Sequence, residues 1–250
     1  MNHAPCGIAA LIAALAAAPA PTLCAQQPPS ARVALEKHAL AAARQHNLAL
    51  AEAVVRAGEA GSLELELRTR PTKHEASLHL AMATVDVVEG DAELALRLAS
   101  FELTQATDTE TAAPTGRARL VLRFAPRPTK PPARGEPDRD AENAILVRAA
   151  LAALQAIEAH DGEPADLAPE IASLAVLPAK SVSPGIDVLL HVRGEAFRQH
   201  ADVVDAALRK AALAKASGLG VLAPAREKVL RDEVGARYTF HCSRPAAEGR

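Results

Sequence analysis

Six polar residues in the last third of the chain form its sharpest chemical pattern. Asp187, His191 and Arg193 sit at odd positions of Ile186-Asp-Val-Leu-Leu-His-Val-Arg193, with Leu189 between them. Arg237, Thr239 and His241 alternate in the same way through Ala236-Arg-Tyr-Thr-Phe-His-Cys242. Alternate residues of a strand share one face. If the two strands are neighbours, all six side chains converge on one polar surface. His191 or His241 with Asp187 could then do acid–base chemistry, because imidazole titrates near neutral pH. Arg193 and Arg237 could hold an anion. The plainer reading is the solvated face of an antiparallel sheet, and Leu189 interrupts the polar row.

The other candidates for chemistry are poorer. His38 and His46 fall about 80° apart on a helix, too far to share a metal, and His74 and His79 flank the start of an expected strand. The sequence has no HExxH, no paired-cysteine zinc pattern, no Gly-rich phosphate loop and no GxSxG elbow. No metal and no cofactor are therefore expected. Cys242, in the apolar alternation Tyr238, Phe240, Cys242, reads as a small core residue.

These residues must be positioned by the elements around them. Arg32 to Arg56 carries Val33, Leu40, Leu50 and Val54 at helical spacing, and predicts one helix ended by Gly58 and Gly61. Ser62 to Arg68 alternates strictly and predicts a strand. Further strands are expected over Ser77–Val88, Ala92–Leu103 and Arg119–Phe124, with Glu89-Gly90-Asp91 as a hairpin turn. The first unit thus reads as an N-terminal helix on a four-stranded antiparallel meander.

Pro126, Pro128, Pro131, Pro132 and Pro137 then mark a linker. A second small α/β sandwich follows. Its helix over Arg139–Ala159 buries Val147, Leu151 and Leu154. Residues 165–177 read as a short helix and then a strand. The strand at Ile186–Arg193 precedes an amphipathic helix with Phe197, Ala201, Val204, Leu208 and Ala211 on one face. A short helix from Pro224 to Asp232 and the strand Ala236–Cys242 complete the order. The class is α+β, with a leader at 1–25, domains at 26–125 and 139–242, a linker at 126–138 and a tail at 243–250.

The strand ending in Val192-Arg193-Gly194, followed by a long amphipathic helix, locally resembles the periplasmic domain of pilus and secretion assembly proteins of the PilO type. The likeness rests on element order and includes no specific motif. The membrane span and coiled coil of those proteins are not found in this sequence. Such a fold serves assembly, ligand binding and catalysis alike.

The beginning of the chain reads as an address. Gly7 to Ala18 is almost wholly Ala, Leu and Ile. This run is shorter than the roughly 20 residues a membrane-spanning helix needs, but it fits the apolar centre of a signal peptide. Pro19 and Pro21 break it, and Ala25 is the expected last residue removed. The plainer alternatives are a buried Ala-rich helix or an uncleaved anchor; a related one is lipidation at Cys24, although Leu23 occupies the place where that motif wants a small residue. Cleavage after Ala25 leaves Cys242 alone among the three cysteines, so no internal disulfide is expected and no transmembrane span remains.

Composition narrows the function. The formal net charge is −2, which gives no support to nucleic-acid binding. Aromatic residues make up 2% of the chain, which argues against the stacking platforms of sugar sites. Seven acids against Arg97 lie between Asp86 and Glu110. Seven bases against Glu136 and Asp138 lie between Arg117 and Arg139. Such blocks either compensate one another across strands or meet an acidic partner. The expectation is an exported, non-enzymatic periplasmic or secreted protein that binds an envelope protein or a cell-wall component. The alternative is a secreted hydrolase-like enzyme using His191 or His241 with Asp187.

Overall fold

The computed structural model describes residues 29–48, 50–70, 75–107, 114–127, 139–158, 171–180, 185–193, 197–214, 223–231 and 235–243. The expected leader at 1–25 and all but the first two residues of the proline-rich segment lie outside them. The described chain is a mixed α+β structure. Its elements are α1 (Pro29–Gln45), β1 (Leu50–Ala57), β2 (Leu63–Thr69), α2 (Glu75–Gly90), β3 (Leu96–Thr107) and β4 (Pro114–Pro126). They continue with α3 (Arg139–Glu158), β5 (Ile171–Pro178), β6 (Gly185–Arg193), α4 (Phe197–Ala214), β7 (Ala223–Arg231) and β8 (Gly235–Ser243).

All eight strands join one antiparallel sheet in the order β1-β2-β4-β3-β5-β6-β8-β7. The helices follow one another in a row, α1 on α2, α2 on α3 and α3 on α4, over one face of it. Leu65, Leu122, Leu103, Leu174, Val188, Leu190 and Phe240 from that face join Leu35, Leu78, Val147, Leu151, Val204 and Leu208 from the helices in one continuous core. The opposite face carries no helix among the described residues and is polar.

Three expected elements differ. The helix from Arg32 to Arg56 stops at Gln45, and β1 follows. Asn47 takes a left-handed conformation (φ +52°), and Leu48 N–H bonds back to Ala43 O at 2.7 Å. That is a Schellman end with Asn at its left-handed position. The buried stripe of α1 is therefore Leu35, Ala39 and Ala42, while Val33 and Leu40 face out. Ser77–Val88 is helix α2, not a strand, so Glu89-Gly90-Asp91 ends a helix where a hairpin turn was expected. Helices on both flanks and a sheet beneath bury Leu78, Leu80, Ala81, Thr84, Val85 and Val88. Among its described residues only a narrow outer stripe, His79, Asp86 and Gly90, stays exposed, so the helical period is weak in the sequence. The helix expected from Pro224 to Asp232 is rich in helix formers, yet its described residues, 224–231, belong to strand β7 (Ala223–Arg231), because pairing with β8 outweighs local propensity. With α2 in place of a strand, the first half is not a meander: β4 lies between β2 and β3.

The chain order contains a repeat. Helix-strand-strand-helix-strand-strand occurs as α1 to β4 and again as α3 to β8, with one strand order in both halves: first, second, fourth, third. Even an irregularity recurs. Between Leu50 and Glu52 the register of β1 on β2 shifts, and it shifts again between Ile171 and Ser173 of β5 on β6. Matched through their ladders, Glu64 corresponds to Asp187, Arg68 to His191, Arg119 to Arg237 and Arg123 to His241.

Two hydrogen bonds, one buried and one part-buried, fix α3 against the strands of its own half. Asn143 Oδ1 accepts the Gly185 N–H at 2.9 Å, and Arg139 donates to Ala179 O at 3.1 Å. At Gly185 a side chain would meet Cys242 O at 3.1 Å, a close approach of two strand backbones that glycine permits.

Candidate functional site

The helix-free face is the candidate site. Strands β6 and β8 are neighbours, and all six residues of the polar pattern lie on that face. Asp187 stands opposite His241, Leu189 opposite Thr239, His191 opposite Arg237 and Arg193 opposite Gly235. The His241 ring donates from Nδ1 to Asp187 Oδ1 at 2.9 Å, with about a quarter of each side chain exposed (26% and 30%). His191 does not join them. It lies four residue steps along the ladder from His241, which is about 13 Å at ~3.3 Å per residue. The six residues therefore form two groups. Asp187 and His241 sit at one end, His191 with Arg237 and Arg193 at the other, and Leu189 and Thr239 lie between. On its other side His191 faces Ser173 of β5.

A second group on the same face was not singled out from the sequence. Glu66 on β2 is 1% exposed, yet it points away from the core. Val54 and Val121 stand directly across from it. Three guanidinium groups close over it: Arg56 donates at 2.6 Å, Arg119 at 2.9 Å and Arg68 at 2.9 Å. The Arg119 hydrogen bond, helped by Arg56 and Arg68, holds the Glu66 carboxyl far below the usual carboxylate range against the opposing pull of burial. Arg123 extends the lattice by bonding Glu64 at 3.1 Å and Glu102 at 2.7 Å. The signal was present in Leu63-Glu-Leu-Glu-Leu-Arg68, whose alternation puts Glu64, Glu66 and Arg68 on one face. Arg56 came from the neighbouring strand β1, and Arg119 and Arg123 from β4, more than fifty residues on. The Arg123–Glu102 pair also joins the acidic and basic blocks of the first half.

Comparison with protein-family models, curated proteins and solved structures returned no match. The chemistry must be read from the residues themselves.

Among the described residues, no group of three or more His, Cys, Asp or Glu side chains is placed to hold a metal. His38 lies on Asp91 Oδ2 at 2.7 Å, linking α1 to the turn after α2. This hydrogen bond, with the Glu93 and Leu94 backbone N–H groups, lowers the Asp91 pKa. The His46 ring lies edge-on to His79, with centroids 5.3 Å apart. His74 falls outside the described residues. Cys242 is fully buried, and burial, with Asp187 nearby, pushes its thiol up to about 12. Such a thiol has little thiolate at neutral pH and makes a poor nucleophile. No described helix is long and apolar enough to cross a membrane.

Proposed function

We propose that this chain is an exported, non-enzymatic envelope protein with a binding or assembly role, and that the helix-free sheet face is its recognition surface. One observation carries the reading: among the described residues all four helices lie on one side of the eight-stranded sheet, and its other side is a broad polar surface. In the first half, Glu52, Glu64, Glu66 and Glu102 meet Arg56, Arg68, Arg119 and Arg123. The same face also carries Arg97, Arg117, Arg193 and Arg237, with Asp187 as the one further carboxylate among the described side chains. That excess of guanidinium groups favours an acidic partner, an envelope protein or an anionic cell-wall component. We read residues 26–125 and 139–242 as two units joined through 126–138, and the repeated element order supports this division. Export rests on the apolar run before Pro19.

Photo-crosslinking in the native envelope tests the surface. A crosslinker at Thr104 or Leu189 on the helix-free face is expected to capture the partner, and one at Ile145 or Arg148 on the central helix α3 is not. Capture from the helix positions alone would overturn the reading. The mass of the purified protein tests export, and a mature chain beginning at Gln26 is expected.

A second reading, a secreted hydrolase-like enzyme, has one observation in its favour. With Nδ1 on Asp187, His241 presents Nε2 as a base would. In that reading Asp187 orients the ring and His191 takes no part. It requires turnover of an ester or amide substrate that His241→Gln abolishes; equal turnover by both proteins ends it.

A further inference from the structure

The junction inside the sheet is a template for adding strands at its ends. The third strand of the first half, β3, pairs antiparallel with the first strand of the second half, β5: Phe101 with Val176, Glu102 with Ala175, Leu103 with Leu174 and Thr104 with Ser173. The two edges of the sheet are β7, the third strand of the second half, and β1, the first strand of the first half. Among the described residues no strand lies beyond either. The edges are therefore the same two kinds of strand that already meet in the middle.

We infer that copies of this chain associate head to tail, β7 of one pairing antiparallel with β1 of the next by the same step that pairs β3 with β5. Through the β4 and β8 ladders, Leu103 and Thr104 correspond to Val229 and Leu230. Leu174 and Ser173 correspond to Ala53 and Glu52. A bulge often blocks pairing at an edge. β5 carries the same bulge as β1 and still accepts β3; β7 has a bulge of its own between Arg226 and Lys228, where β3 runs regularly through Phe101 and Glu102, so the run of β7 that matches the template is Lys228–Leu230.

A second observation agrees. Most of the exposed large apolar side chains lie on the terminal elements: Val33 (66%) and Leu40 on α1, Val203 on α4 and Leu230 (51%) on β7. Helical spacing puts Val33 and Leu40 about 140–160° around α1 from His38, which reaches towards the end of α2. They face the flank where the α4 of a neighbouring copy would stand, as α2 stands beside α3 within the chain. The step is heterologous and does not return on itself, so it builds a row of copies and not a closed dimer.

Sedimentation velocity of the full chain over a wide concentration range tests this. The average mass is expected to rise past the dimer. Val54→Pro closes one edge and Leu230→Pro the other. Each variant alone is expected to stay monomeric, while their mixture forms a one-to-one dimer and stops there. Circular dichroism melts report whether each variant folds. If either does not, Val33→Glu with Leu40→Glu decides, and should weaken association at least tenfold. A chain that is monomeric at every concentration overturns the inference, as does a dimer that persists in one edge variant alone. Association untouched by the α1 glutamates also overturns it. Failure here leaves the reading of the helix-free face intact, since association rests on backbone pairing at the two edges and that reading on the charged side chains across the sheet.

Discussion

Glu64 and Asp187 hold the same place in the two halves of the sheet. Each sits on the second strand of its half and meets a base on the fourth, Arg123 at 3.1 Å and His241 at 2.9 Å. One arrangement, repeated, supplies both pairs. The Asp187–His241 contact thus has a structural counterpart that makes no claim on catalysis, and this weighs towards a binding face.

If the pairs are equivalent, His241→Arg is tolerated and keeps the contact with Asp187. Its thermal midpoint is expected within about 2 °C of the parent. His241→Ala and Asp187→Ala each cost on the order of 0.5–1 kcal/mol, as partly exposed pairs do. A double-mutant cycle by thermal denaturation measures the coupling. A coupling of several kcal/mol would show that this pair is more than a surface contact.

Glu66 is the carboxylate on which the first half leans. Glu66→Gln loses charge-assisted hydrogen bonds to three arginines and is expected to cost about 1–3 kcal/mol by urea unfolding. Its pKa is lowered on folding, so the unfolded chain binds more protons in acid and stability rises with pH there. The contribution is whole above the usual value of 4.5 and is lost as pH falls towards the depressed folded value. Glu66→Gln should flatten the acid limb of the stability curve. An unchanged limb would assign acid sensitivity to other groups.

Leu174 is fully buried on β5, between Leu103 of β3 and Leu190 of β6. Leu174→Ala opens a cavity where the halves meet and should cost about 2–5 kcal/mol. Because one core runs through both halves, calorimetry should show the whole transition moving down together. A split in which only the second half melts early would mean that the junction couples them weakly.

Cys242 should be inert in the folded protein. With its thiol buried and pushed up to about 12, iodoacetamide at neutral pH is expected to leave it unmodified until denaturant is added. Mass spectrometry of the peptide containing Cys242 reads this directly.

Where one face of an element was polar, the sequence was legible. The strands Leu63–Thr69 and Gly185–Arg193 and the buried stripes Val147, Leu151, Leu154 and Ala201, Val204, Leu208 follow from periodicity, since burial on one side writes a period into the residues. So did the shared face of Asp187, His191, Arg193, Arg237, Thr239 and His241. Tertiary structure decided the rest. Ser77–Val88 is a helix because neighbours cover it on most sides, and Ala223–Arg231 is a strand because β8 pairs with it. That β4 lies between β2 and β3, that His241 and not His191 meets Asp187, and that three arginines from three strands gather on Glu66 are matters of register. Periodicity specifies which face a side chain takes; only strand pairing specifies which side chains stand across from one another.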